Sequence, residues 1–252
     1  MAADFQRFIG IDYSGAKGPH DPLLGIRVFA AARDGMAQEI RDTTGGHWSR
    51  ARLASWLSDQ VLYKAPALIG IDHAFSFPRI YFLRHALAAW PDFLEDFVAH
   101  CPAHEHAVED LRRKRALRIE SNSALRVCEA WTSSAKSVFM FDVQGSVAKS
   151  TFAGLPWLQL LRQKAGDKLH VWPFDGWTPL PGRSVICEIY PAIFKRRYAR
   201  ADRGIDAHDA YSSASWMQDM SRRNALAGYF HPPLSEDERR IAALEGWILG
   251  VM

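Results

Sequence analysis

The sequence predicts an α/β fold: a mixed sheet that opens as a three-stranded antiparallel meander and continues with parallel strands, flanked by helices and carrying a helical insertion at about residues 79–135. Three observations lead there. The apolar runs "FIGID" (8–12) and "ALIGID" (67–72) are short, lack polar alternation and end in aspartate, as strands covered on both faces do. An amphipathic helical stretch separates them. Beyond the second run, the chain turns rich in His, Arg and Glu at helical spacing, as in "RIYFLRHALAAW".

The elements follow in order. Phe8–Asp12 is the first strand; after a Gly/Pro-containing turn, "LLGIRVFAA" (23–31) and a weaker extended stretch near 36–41 complete the meander. In "SRARLASWLSDQVLYK" (49–64), Leu53, Trp56, Leu57, Val61 and Leu62 recur at helical spacing, and Ser49 is available as a cap. The "ALIGID" strand comes next. If it pairs in parallel with the first strand, Asp12 and Asp72 emerge together at the carboxyl edge, where open α/β sheets place their ligands. Two carboxylates that close raise each other's pKa unless a cation lies between them.

After the insertion, the chain resumes with "SVFMFDV" (137–143), a loop through Gly145 and Gly154, the helical "LPWLQLLRQK", the strand "LHVWPF" (169–174) and the strand "SVICEIYP" (184–191). That last strand sets Glu188 in a buried run, which is costly without a partner. The helix "IDAHDAYSSASWMQDM" (205–220) then carries Asp206 and Asp209 one turn apart on one face.

Composition bounds the function. With 252 residues, 48% hydrophobic and 23% charged, the chain reads as one globular domain over residues 1–252, with no low-complexity tract and no repeat. Three widely spaced cysteines without a CxxC pair read as reduced thiols. No signal-peptide core and no stretch near the roughly 20 apolar residues of a membrane span is present, so a cytoplasmic protein is expected. The net charge of +3 permits nucleic-acid binding without requiring it. Basic residues gather at 112–118, at 195–203 and at Arg222 and Arg223, where they either follow a phosphate backbone or decorate solvated helix faces.

An acid ending the first strand, an acid ending the next buried strand, an acid on a later strand and an Asp-x-x-Asp opening a late helix together resemble the ribonuclease H-like superfamily. The local wording, "GID", "IDHAFSFP", "EIYPAIF", "DAHDAYSSASW" and "EGWILGV", resembles its predicted-nuclease branch, the family defined by domain of unknown function 429, over nearly the whole chain. The resemblance implies a divalent-metal-dependent nuclease that hydrolyses phosphodiester bonds by a carboxylate two-metal mechanism. It implies Asp12, Asp72, Glu188 and Asp209 as catalytic metal ligands, with Asp206 as an accessory one. Mg²⁺ or Mn²⁺ suits such oxygen donors, and DNA or RNA is the implied partner. Two ions about 4 Å apart would activate a water and stabilise the leaving oxygen.

Each residue also has a plainer reading. Asp12 can cap the turn into "SGAKG", Asp72 can pair with an arginine of the insertion, Glu188 with Lys195 or Arg196, and Asp206 can cap its helix. Ser14, Lys17, Lys195 and Arg196 are candidate phosphate contacts. His73 and His208 adjoin proposed ligands and either move protons or simply pack. His100, Cys101, His104 and His106 offer zinc donors, but no second ligand pair follows at zinc-finger spacing. Two other functions compete: an actin-like or sugar-kinase-type phosphotransferase, which needs a second half this chain lacks, and a non-catalytic nucleic-acid-binding module. Trp56, Trp157 and Trp216 occupy helical apolar positions and read as core.

Overall fold

The computed structural model describes residues 4–132 and 134–252. β1 (Arg7–Asp12), β2 (Arg27–Ala32) and β3 (Gln38–Glu39) form the antiparallel meander. Parallel strands β4 (Ala67–Asp72), β5 (Leu169–Val171) and β6 (Ser184–Ile189) extend it in the order β3-β2-β1-β4-β6-β5. A short seventh strand, β7 (Ile248–Leu249), pairs with the end of β6. The sheet is thus mixed α/β, with its meander at one side and its parallel strands at the other.

Helix α1 (Arg50–Tyr63) starts where Ser49 accepts a hydrogen bond from the Arg52 amide, and it buries Leu53, Leu57 and Val61 along one stripe. Helices α2 (Arg79–Arg84), α3 (Trp90–His100), α4 (Val108–Arg113) and α5 (Val127–Thr132) occupy the stretch that the sequence marks as helical. They dock through an aromatic knot in which the Phe77 ring meets Phe93, Phe97, Phe139 and Phe152. Helices α6 (Ala148–Ala165), α7 (Ile205–Arg222), α8 (Leu226–Tyr229) and α9 (Glu236–Glu245) complete the chain. A Ser235–Glu238 capping box opens α9, and Gly246, with φ of +79°, closes it.

Strand alternation divides the core between the two faces of the sheet. Ile9, Ile11, Ile69, Ile71 and Ile186 join α1, α3 and α6 on one face. Phe8, Leu68, Val185, Cys187 and Ile189 join Ala210, Ala214 and Met217 of α7 on the other.

Four local expectations need correction. Gly154 lies inside α6, not in a loop, and the helix runs through Pro156. Glycine is required there because a Cβ would stand 2.4 Å from the His73 ring. β5 stops at Val171, because Asp175 folds back: its amide bonds the Val171 carbonyl at 2.9 Å and its carboxylate takes the Val171 amide at 2.7 Å. β6 ends at Ile189, two residues before Pro191, which has no N–H to offer a ladder. β2 begins at Arg27 and not at Leu23, because the chain turns before it, with the Ile26 amide bonded to the Leu23 carbonyl at 3.2 Å; the "EGWILGV" segment, to which the sequence assigned no element, supplies β7. Among the described residues, no helix is long and apolar enough to cross a membrane.

Candidate metal centre

β1 and β4 pair in register from Arg7 opposite Ala67 to Asp12 opposite Asp72, so the two aspartates leave the carboxyl edge side by side. The third acid comes from α7, and Gly10 decides how near it comes. A Cβ at position 10 would stand 2.3 Å from the Ala210 carbonyl oxygen and 2.5 Å from the Ala214 nitrogen. Glycine therefore lets the helix lie directly on β1, its small residues Ala207, Ala210 and Ala214 facing inward. Asp209 is carried over the edge as a result. Carboxylate oxygens of Asp12, Asp72 and Asp209 all lie within 4.8 Å of one another, and each side chain is partly buried.

One cation faces this group from the protein itself. Lys195, in the one-turn 3-10 segment Lys195–Arg197 that follows β6, donates from Nζ to Asp209 Oδ2 at 2.9 Å. Asp209 Oδ1 is buried with no hydrogen-bond partner among the described residues. Burial first, then the charges of Asp72, Asp206 and Asp209, push the Asp12 carboxyl well above the usual carboxylate range. Burial, then Asp209 and Glu188, push Asp72 up to about 8. Lys195 draws both back, but by less.

No protein-family profile matches the chain, and no curated protein and no solved structure matches it either.

The structure does not bring Glu188 into the group. Faces alternate along a strand, and Gly10, Gly70 and Cys187 share one register row. Asp12 and Asp72 lie two residues beyond that row, on the face α7 covers. Glu188 lies one residue beyond it, level with Ile71, and leaves from the opposite face. There Arg126 grips both its oxygens, at 2.7 and 2.6 Å. Arg126 also bonds Glu129 Oε1 at 2.9 Å and the Glu245 carbonyl at 3.2 Å, and the Glu245 carboxylate caps the Arg79 and Val127 amides. Neither Lys195 nor Arg196 is its partner: an arginine of the insertion pairs with an acid of the sheet, but with Glu188 and not Asp72. A recess beside this knot is lined by Asp72, Glu188, Arg126, Lys136 and Tyr190.

Asp206 is exposed and is not the helix cap. Gly204 holds that position, and Asp206 stands in the first turn, where its charge favours the helix dipole. Its carboxylate stands by Gly25, where an added Cβ would lie 3.6 Å from Asp206 Oδ2. The "YSGAKG" turn is pinned from within: fully buried Arg50 donates to the Ser14, Ala16 and Lys17 carbonyls at 3.1, 2.7 and 3.0 Å. The Ser14 hydroxyl accepts from the Ala16 amide at 3.3 Å, and the Lys17 side chain is exposed.

Both histidines pack. His73 bonds the Ala74 carbonyl, lies edge-on to Tyr13, and is held near pKa 4 by burial, in a small cavity between α1 and α6. His208 reaches the Lys195 carbonyl at 3.2 Å, with its pKa lowered by burial. His100, Cys101, His104 and His106 do not assemble: the one group among the described residues placed to share an ion is Asp12, Asp72 and Asp209. His100 instead bonds the Asp96 carbonyl, and Cys101 is buried with its thiol pushed up to about 12.

The basic clusters differ. Arg112, Arg113 and Arg118 pair with Asp142, Asp110 and Asp96. Arg196, Arg197 and Arg200, which follow Lys195 in the chain, are exposed. Sequence reasoning missed Arg126. The signal was a lone arginine among apolar neighbours in "ALRVCEAW", with Glu129 three residues on, a spacing that pairs side chains on a helix.

Proposed function

We propose that the protein is a divalent-cation-dependent nuclease whose ion is held by Asp12, Asp72 and Asp209. The observation that carries this is the convergence of three carboxylates on one sheet edge, with Asp209 Oδ1 buried and unpartnered. Like charges so close are costly, and a hard cation removes the cost while satisfying the orphaned oxygen. The all-oxygen donor set suits Mg²⁺ or Mn²⁺. Glu188 does not fit the same set, because both its oxygens are committed to Arg126.

A bound ion would supply Lewis acidity and a water acidic enough to attack phosphorus at neutral pH. The chain's own contributions are positional. Asp12 and Asp72, at the end of the parallel pair, and Asp209, on α7, would hold the ion, and Lys195 orients Asp209. Exposed Arg196, Arg197 and Arg200, in and just after the segment that brings Lys195 to Asp209, favour a polyanion such as DNA or RNA. The meander followed by parallel strands, with acids at the carboxyl edge, supports a ribonuclease H-like reading of the sheet. Three buried free cysteines favour a reducing, cytoplasmic setting.

The test is cleavage of single-stranded, duplex and junction DNA and RNA with Mn²⁺ or Mg²⁺, alongside calorimetric ion titration, on wild type and Asp12→Asn. Cleavage and ion binding lost together in the variant support the nuclease. Nucleic-acid binding that survives in Asp12→Asn, with no cleavage by either protein, gives a binding module instead, and absence of ion binding by the wild type overturns the metal centre.

A further inference from the structure

The number of ions follows from how the protein spends its own cations. The centre presents three carboxylates. Two-ion sites need bridging and terminal donors for both ions, and the third strand-borne acid of the expected set, Glu188, leaves from the other face of the sheet into the grip of Arg126. Asp206 is exposed on the rim beside Gly25, outside the group that can share an ion. Asp209 is already divided: Oδ2 takes the Lys195 ammonium at 2.9 Å, and Oδ1 is buried and unpartnered.

We infer that the centre takes a single divalent cation and that the Lys195 ammonium occupies the place a second would fill. This rests on the cation-site reading above. Charge balance supports it: one divalent ion and one lysine supply three positive charges against the three aspartates, whereas two ions beside the lysine would leave the site strongly positive. Lys195 is also well placed to persist. It lies six residues beyond β6, in a one-turn segment whose Lys195 carbonyl receives the His208 ring nitrogen at 3.2 Å, so its backbone is tied to α7 one residue from Asp209. On this inference Lys195 is a positioning residue: it holds Asp209 so that one oxygen faces the ion, and it offers a fixed positive charge beside it.

The experiment counts Mn²⁺ ions at pH 8, by the electron paramagnetic resonance signal of the unbound ion, on wild type, Lys195→Arg and Lys195→Met. Thermal melts check that each is folded, as expected for a side chain that is 33% exposed. The expected result is one ion per chain for wild type and for Lys195→Arg, and two for Lys195→Met. Two ions on the wild type, or one on folded Lys195→Met, overturns the inference and leaves the metal centre standing. No ion on any of the three overturns the metal centre itself, and the inference with it. The wild-type count decides the single-ion half without any variant.

Discussion

Asp12 and Asp72 stand opposite each other as register partners at the last position of a parallel strand pair. Neither can move away, because each closes a strand buried on both faces. In the ion-free protein this proximity is a standing cost that grows with ionisation.

The sign follows from Asp72, whose folded pKa of about 8 exceeds the unfolded carboxylate value of about 3.9. Protons bind the folded state more tightly, so the contribution is fully present below about pH 4 and is lost as the pH rises through 8. The melting temperature of ion-free protein is therefore expected to fall between pH 5 and pH 8. Asp72→Asn should flatten that fall and melt several degrees higher at pH 8, since about 1 kcal/mol moves Tm by roughly 2–4 °C in a chain of this size. Calorimetric melting across pH in a chelator measures it.

Added Mn²⁺ should reverse the same loss. The ion competes with protons for the carboxylates, so its affinity rises from pH 6 to pH 8, and binding releases protons. At an ion concentration of about 100 times Kd the stabilisation is about 2.7 kcal/mol. Titration calorimetry in buffers of different ionisation enthalpy reads the proton release. Asp209→Asn should abolish binding and remove the Mn²⁺ shift in Tm.

Glu188 and the three aspartates should part company under mutation. Arg126 holds Glu188 in a buried pair, and removing one partner of such a pair costs about 3–5 kcal/mol. Urea unfolding of Glu188→Gln is expected to show a loss of that order while Mn²⁺ binding persists. Abolished binding in a folded Glu188→Gln would return Glu188 to the ligand set.

Gly10→Ala tests the placement of α7 at a residue that touches no ligand. The new methyl would press on the Ala210 carbonyl, an overpacking that costs about 1–3 kcal/mol. It should also lift Asp209 from its partners and weaken Mn²⁺ binding at least tenfold. Stability lost with unchanged Mn²⁺ affinity would show that the helix can shift without disturbing the centre.

The sheet was legible in the chain because β1 and β4 repeat Ile-Gly-Ile-Asp, and an apolar run without alternation has few places to go except a covered strand. The meeting of Asp12 and Asp72 was visible for the same reason, whereas Asp209 entered only through the family resemblance. Glu188 misled because an acid in a buried strand signals a partner without naming it. Aligning "IGID" with "ICEI" on Gly10, Gly70 and Cys187 leaves the glutamate one residue short, on the other face. Of Arg126's partners only Glu129 is near in sequence; the others lie on a distant strand and at the end of α9, so its hold on Glu188 could not be assigned. β5 was overextended because aromatic residues in "LHVWPF" favour strands, while the turn that ends it depends on Asp175.

The three acids come from β1, β4 and α7, so the set closes only when an early strand meets a late helix. While the chain is being synthesised it carries Asp12 and Asp72 long before it carries Asp209 or the lysine beside it. A nascent or misassembled chain thus holds two repelling aspartates and no complete coordination shell. On the proposed reading, this edge holds its ion only once α7 has docked on β1 and β4, so occupancy of the centre reports that these three elements have come together.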